Sequence, residues 1–375
     1  MGWRLVNRRI GTALSLHPIS SIATGEVLGS LLESVGYGPD LVVLFVSESH
    51  REHLDEIVGA TRTILGPHCL VGTTARAVLG GGYETDGEPA ISAWAGRVGA
   101  VTTTSWSGDE SLPHLDCPTL VFGTDAGRLT QWLQSRPPSY RRVGGGVAAS
   151  GARNDVTLMV DDQLVADGFV AVRFDELALE CVVSQGTQPF GPAFTITKSE
   201  RNVVYELAFQ PALDRLNQVV YGFEDDRSRL HGGIHLGVRR DPGDGVGFST
   251  GLVREVLGAD RANGALSVDV GLEVGEIVQF HIRDRRSALY DLDHMMSENK
   301  TLSEGRPLAG TLLFTSRHRG RSLFGDGSCD ASVVSERTQA PLAGVFCEEE
   351  YGPTEARSSV HKRCCTIVFV AADQS

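Results

Sequence analysis

Apolar residues fall along this chain in short continuous runs, and between the runs they return at helical spacing. LVVLFVS (Leu41–Ser47) and TLVFGTD (Thr119–Asp125) are apolar at successive positions. Runs of that length without alternation read as strands covered on both faces. After Ser49, Leu54, Ile57, Val58, Thr61, Ile64 and Leu65 mark one helix face, closed by Gly66–Pro67. Asp125 opens another helix, with Leu129, Trp132 and Leu133 inward, and Thr24 caps an earlier one that runs to Val35 and stops at Gly36.

These pieces recur as a unit: an apolar strand, a helix, a second strand with glycine near its middle, then a turn and a closing strand. The first copy is Leu41–Ser47, the helix after Ser49, His68–Ala75 and Ala90–Gly96. The second is Thr119–Asp125, the helix after Asp125, Arg141–Ala148 and Asp155–Asp162. The third is Gly310–Gly320, a helix near Asp330–Arg337, Pro341–Glu350 and Cys364–Ala371. Between copies two and three lie the strands Phe169–Phe174, Leu177–Ser184, Phe194–Lys198 and Val203–Glu206, and a helix after Pro211. The polar stretch Phe223–Gly233 reads as a linker, followed by strands at Ile234–Arg239, Ala265–Val270 and Gly275–Arg283 and a helix around Leu289–Met296. The expectation is a mixed α/β fold. Two layered domains of mixed sheets flanked by helices are built on recurring β-α-β-β units. A lead-in at 1–26 precedes domains at 27–222 and 223–375.

Composition narrows the function. With 375 residues, 41% hydrophobic and 22% charged, the chain is an ordinary globular protein. A net charge of −13 and short, separated basic clusters argue against nucleic acid. No apolar run reaches the ~20 residues of a membrane helix. Seven cysteines without CxxC spacing argue against a disulfide scaffold and point to a reducing cytoplasm.

Candidate chemistry gathers in the third copy. In TLLFTSRHRGRSLFG (Thr311–Gly325) a buried strand runs into Ser316, Arg317, His318, Arg319, Gly320 and Arg321. Ligands of layered α/β folds bind at the carboxyl ends of strands, and arginine suits carboxylate or phosphate. CEEEY (Cys347–Tyr351) ends the next strand, so Glu349 or Glu350 can face Arg319 as a pocket or as a plain salt bridge. His361 with Cys329, Cys347, Cys364 and Cys365 fits no common zinc spacing, and buried free thiols are the better reading. Gly144–Gly151 lacks the Lys–Ser/Thr of a P-loop, and Gly243–Gly251 is out of frame for a dinucleotide fingerprint. Both read as turns. No metal or cofactor is expected.

Several segments resemble the FIST family, which pairs a FIST N with a FIST C domain. VVSQGTQPFGPAFTITKSERNVVYEL (Val182–Leu207), VGGGVAASGARNDVTLMVDD, GALSVDVGLEVGEIVQFHIRD (Gly264–Asp284), TLLFTSRHRGRSLFG and LAGVFCEEEYGP match in order across roughly Val27–Val370. The resemblance implies a sensory module of intracellular signalling that binds a small polar or anionic ligand, an amino acid or small carboxylate among them, with a signalling protein as partner. It assigns the first two copies to the N-terminal domain and the third to the C-terminal one. Arg319 and Gly320 match the family's strand-end motif, whereas Ser316 stands at its cysteine and His318 at its glycine. Glu350 matches its glutamate, with Glu349 in place of glycine. Ser316, Arg319, Gly320, Glu350 and His361 are thus the expected ligand-binding residues, with Gln185 counted among them. Gln185 orders either the domain junction or its own turn. The competing readings are an enzyme using Glu350 and His361 as acid and base, and an interaction scaffold without a ligand.

Overall fold

The computed structural model describes residues 9–107, 117–135, 143–148, 156–177, 179–223, 227–239, 252–299, 302, 304–325, 329–353 and 358–372. The stretch Gly243–Gly251 and the end of Gly144–Gly151 fall outside the described residues. The chain forms two compact units: Met1–Val183 together with Met296–Ser375, and Ser184–Met295. The expected linker Phe223–Gly233 lies within the second unit, and all three copies of the repeat belong to the first.

The first unit begins with β1 (Arg9–Ser15), α1 (Ser20–Val35), β2 (Leu41–Ser47), α2 (Leu54–Leu65), β3 (Cys69–Ala75), β4 (Val78–Gly80), β5 (Tyr83–Glu84) and β6 (Ile91–Arg97). It continues with β7 (Val101–Trp106), β8 (Thr119–Gly123), α3 (Ala126–Gln134), β9 (Val143–Ala148), β10 (Leu158–Val160), β11 (Gln163–Val165), β12 (Phe169–Phe174) and β13 (Leu179–Ser184). The second unit holds β14 (Gln188–Glu200), β15 (Val203–Leu207), β16 (Gln210–Pro211), α4 (Ala212–Tyr221), β17 (Ile234–Arg239), β18 (Leu252–Asp260), β19 (Ala265–Val268), β20 (Ile277–Ile282) and most of α5 (Arg285–Glu298). The first unit resumes with β21 (Leu308–Ser316), α6 (Asp330–Thr338), β22 (Leu342–Pro353), β23 (Ser358–His361) and β24 (Cys365–Ala371).

Two sheets make up the first unit. One runs β1-β6-β2-β3-β10-β11, the other β13-β24-β21-β22-β9-β8-β12-β7, with β4, β5 and β23 attached through β22. The three copies share one topology. β2 and β3 are parallel, and β6 is antiparallel on the far side of β2. β21, β22 and β24 repeat that arrangement, and so do β8, β9 and β12. The closing strand of the second copy is therefore β12, not Asp155–Asp162. Leu158–Val160 turns back into β11 and pairs with β3 in the other sheet. Leu158 and Val160 face one core and Met159 another. A strand apolar on both faces fits either sheet, so its local pattern does not reveal which one it joins.

Parity along the strands builds the layers. Leu41, Val43 and Phe45 of β2 enter the core between the sheets, with Leu120 and Phe122 of β8 and Leu312 and Phe314 of β21. Val42, Leu44 and Val46 face outward, under Val27, Leu28 and Leu31 of α1 and Ile57 and Val58 of α2. Leu129, Trp132 and Leu133 of α3 cover the second sheet through Val121 and Phe169. The order is helix, sheet, sheet, helix. α1 begins at Ser20, a turn earlier than Thr24, whose hydroxyl bonds the Ser20 carbonyl inside the helix. Asp125 does cap α3, accepting the Arg128 N–H at 2.9 Å.

Two residues mark each copy at the same register. Leu44 pairs with Gly72, Val121 with Gly145 and Leu313 with Gly344. A Cβ on these glycines would lie 2.4, 2.1 and 1.9 Å from the paired residue's carbonyl oxygen. The next residue of each first strand is phenylalanine: Phe45, Phe122 and Phe314. Their rings meet one another at 6.3, 6.3 and 5.8 Å between centroids, the range of tilted and edge-on aromatic pairs.

The second unit is an antiparallel sheet, β14-β20-β17-β18-β19-β15-β16, in which β14 also pairs with β15, so the sheet curls onto itself. Phe190, Phe194, Ile196 and Phe280 pack inside it with Leu216 and Val219 of α4. His235 and His281 stand opposite each other on β17 and β20, both buried.

Phe314→Ala removes one ring of the trio and should cost about 3–5 kcal/mol. Gly344→Ala should cost about 2–4 kcal/mol by pushing β22 off β21. Urea unfolding read by tryptophan fluorescence measures both, and near-wild-type midpoints would refute the packing account.

Candidate functional site

β21 delivers Thr315 and Ser316 to the edge of the core, and a tight turn follows. The Ser316 N–H donates to the Cys364 carbonyl at 3.0 Å, and the Arg319 N–H donates back to the Ser316 carbonyl at 2.8 Å. The buried Ser316 hydroxyl accepts the His318 N–H at 3.3 Å. This turn carries Arg319 inward. The guanidinium is fully buried and grips Asp330, the first residue of α6, with Nε at 2.7 Å and Nη2 at 2.8 Å. Thr315 Oγ1 donates to the same carboxylate at 2.6 Å, and the guanidinium carbon lies 5.6 Å from the Phe324 ring centroid. Two parallel charge-assisted bonds are the strong form of this pair.

β21 and β22 are neighbours, as a shared site needs; the CEEEY acids make their direct bonds elsewhere, while the Arg319 charge still acts on Glu350. Glu348 meets Arg317 at 2.6 Å, and Glu349 lies 3.7 Å from Lys362. Glu350 is fully buried and Oε2 accepts the Cys364 N–H at 3.1 Å. Burial pushes its carboxyl well above the usual carboxylate range. His361 sits opposite Glu350 across β22 and β23, its Nε2 3.3 Å from the Gly352 carbonyl oxygen. Cys347, Cys364 and Cys365 are buried and unbridged.

A cavity of about 320 Å³ opens beside this cluster. Its wall is formed by Arg76 and Ala77 after β3, by Tyr83–Asp86 of the β4–β5 hairpin, and by Arg317 and Gly320–Ser322 after β21, with Phe346 of β22. A Cβ on Gly320 would come within 3.1 Å of the Phe346 ring, so glycine lets the turn lie against that ring. Arg321 reaches Asp86 at 3.4 Å and Glu88 at 3.8 Å, joining the turn to the hairpin. Glu84 Oε1 accepts the Ala331 N–H at 2.7 Å. α6 receives no side-chain cap from Cys329; the hairpin glutamate serves instead. Burial first, and the neighbouring Asp330 second, raise the Glu84 carboxyl to about 7.

Five of the expected site residues, Ser316, Arg319, Gly320, Glu350 and His361, therefore lie on the β21–β23 strand ends of one unit. Of these, Gly320 lines the cavity. Arg319 and Glu350 are fully buried, each with one polar atom, Nη1 and Oε1, making no hydrogen bond to protein. Gln185 belongs to the other unit, in a turn ordered by Asp291: Ser184 Oγ donates to its carboxylate at 2.6 Å and the Gly186 N–H at 2.8 Å. Sequence reasoning missed Arg76, Glu84 and Asp330. Glu84 and Ala331 are separated by 247 residues, and no local pattern joins them.

The FIST N domain model matches residues 40–209 and the FIST C domain model residues 212–353. The chain belongs to the FIST family. FIST domains are sensory domains of signal transduction. Among relatives of this FIST protein, the uncharacterized protein Rv0628c of Mycobacterium tuberculosis is 31% identical over 373 residues, spanning 94% of this chain and 97% of its own. The uncharacterized protein Mb0898c of Mycobacterium bovis is 30% identical over 389 residues, spanning 97% and 99%. The FIST N match ends inside the second compact unit, and the FIST C match takes in the rest of that unit and the third copy up to β22. No helix among the described residues is long and apolar enough to cross a membrane.

Arg319→Met leaves Asp330 charged and buried, and should cost about 3–5 kcal/mol in urea unfolding. Arg319→Met with Asp330→Leu should recover much of that loss. Additive losses would show that the two residues do not act as a pair.

The second unit has its own pH signature. Burial, then the Arg283 charge, lower His281 from 6.5 to about 4. Between those values the unfolded chain binds the extra proton. The contribution of His281 is thus complete above about pH 6.5 and is lost as pH falls toward 4, by about 3 kcal/mol. His281→Gln should flatten the stability slope across that window, and an unchanged slope would remove His281 as its source.

Proposed function

We propose that this FIST protein is an intracellular sensor whose small polar or anionic ligand occupies the cavity between the turns after β3 and β21. The observation that carries this reading is the cavity wall itself. Arg76, Arg317 and Arg321 line it together with Glu84, Asp86 and Tyr83; Arg321 opens a short helix just after the β21 turn, and the others lie on turns or the short hairpin at the carboxyl ends of strands. Strand ends are where layered α/β folds place ligands. A volume of about 320 Å³ sits at the lower end of small-molecule pockets, the size of an amino acid or small carboxylate rather than a nucleotide. The mixed charges suit a small polar molecule. The seven unbridged cysteines agree with a reducing cytoplasm.

Within this reading Arg319 is the holder of the site. Its ion pair with Asp330 fixes the start of α6 against the end of β21, and Gly320, the next residue, lines the cavity. Ser316, Glu350 and His361 shape the strand ends behind it. Gln185 keeps the turn of the other unit. The signal passes to a protein partner.

A thermal-shift screen with amino acids and small carboxylates tests the proposal. A ligand at 100 times its Kd adds about 2.7 kcal/mol. That corresponds to roughly 5–10 °C at 2–4 °C per kcal/mol. The shift should vanish in Arg76→Ala and Arg321→Ala, whose side chains are exposed enough to leave the fold intact. No shift from any compound, or one that both variants retain, would refute the pocket.

A further inference from the structure

One residue of the cavity wall also touches the helix start behind it. Glu84 ends β5 and lines the cavity. Behind it, Oε1 takes the Ala331 N–H of α6 at 2.7 Å, next to the Asp330 carboxylate, and the Glu84 carboxylate also receives the Cys329 backbone N–H and feels the Arg319 charge. Asp330 already engages Nε and Nη2 of Arg319 and the Thr315 hydroxyl. Two carboxylates thus stand at one helix start, against one buried guanidinium. On its own hairpin Glu84 has Asp86 and Glu88, which meet Arg321. Across the cavity stand Arg76 and Arg317, the latter paired with Glu348, and Tyr83 completes the hairpin side.

We propose that Glu84 is the specificity-determining residue of this pocket, and that the pocket takes an oxyanion, a carboxylate or phosphate group, together with one proton on Glu84. The inference rests on the ligand-sensing reading above and narrows its ligand class. An oxyanion drawn in by Arg76, Arg317 and Arg321 brings a third negative charge beside Glu84 and Asp330. Like charges gathered at one helix start disfavour joint ionisation. Asp330 is already gripped by both bonds of its bidentate arginine, and the proton is placed on Glu84. A neutral Glu84 is then a hydrogen-bond donor to the oxyanion, where an ionised one would be a repelling acceptor. The raised carboxyl of Glu84 agrees with this placement. The proton comes from solvent, so binding of a monoanion at alkaline pH consumes about one proton. No covalent bond changes.

The test is calorimetry on the full chain at pH 8 with inorganic phosphate and with succinate, each in Hepes and in Tris. These buffers differ in ionisation enthalpy, so proton uptake appears as a buffer-dependent heat. The expected result is close to one proton taken up per Glu84 site filled, corrected for the ionisation of the probe itself. Affinity should fall up to tenfold per pH unit above 7. In Glu84→Gln the buffer dependence left after that correction should disappear, and the affinity for succinate, which is fully ionised throughout, should become flat between pH 7 and 9. As a check independent of that variant's folding, one carboxyl carbon in ¹³C-glutamate-labelled wild type should titrate near neutral pH and shift upward when phosphate is added. Binding without proton uptake overturns the proposal, as does uptake that persists in Glu84→Gln. If neither oxyanion binds while the thermal screen finds a neutral or cationic ligand, the sensor reading stands and the oxyanion assignment falls.

Discussion

The architecture of the first unit depends on three phenylalanines meeting at one point. Phe45, Phe122 and Phe314 come from three strands spread over most of the chain, and each touches the other two. The contact is possible because each copy of the repeat presents its ring at the same register. One residue earlier in each first strand, a carbonyl approaches a glycine of the parallel partner so closely that any side chain would collide with it. The glycine sets the approach of the paired strands, and the ring fixes the copies to one another. Aromatic pairs add ~0.5–1.5 kcal/mol beyond the area they bury. A trio shared among three copies couples their folding more strongly than a neighbour-to-neighbour stack.

That coupling explains why the compact units do not follow a single cut in the chain. Copies one, two and three need one another's rings, so β21–β24 return to the unit that β1–β13 began. The intervening segment closes on its own core of Phe190, Phe194, Phe280 and the face of α4. Family models run along the sequence and divide it near 210, whereas packing divides it at Val183 and Met296.

Much of this was legible in the residues. The repeat, its strand–helix–strand order and the mid-strand glycines follow from runs of apolar residues and turn signals, and the strands and helices of the third copy fall where expected. The closing strand of the second copy did not. Leu158–Val160 is apolar on both faces, and pairing across sheets carries no local mark. The polar strand end of β21 was also legible, but the partner of Arg319 was not. Acids within the same strand pair suggested Glu349 or Glu350, and strand alternation turned them to other tasks. Asp330 looked like an ordinary helix start. Its role as counter-ion depends on where the turn Arg317–Gly320 aims Arg319, which is a property of the folded backbone.

The position of the cavity follows from how each copy satisfies its first strand and helix start. In the first copy, Ser47 Oγ takes the Ala90 N–H and Ser20 Oγ meets His50 Nδ1, so neutral groups close the strand end. In the second, Asp125 caps its own helix. In the third, the acid at the helix start is bound to Arg319 instead, and the open N–H groups of α6 must look elsewhere. They find Glu84, which the first copy supplies from an inserted hairpin. Asp330, the first helical residue and not the cap, is taken up by Arg319, and a loop from another copy supplies the carboxylate at that helix start. The cavity is the space between those two turns, lined by arginines and acids from both.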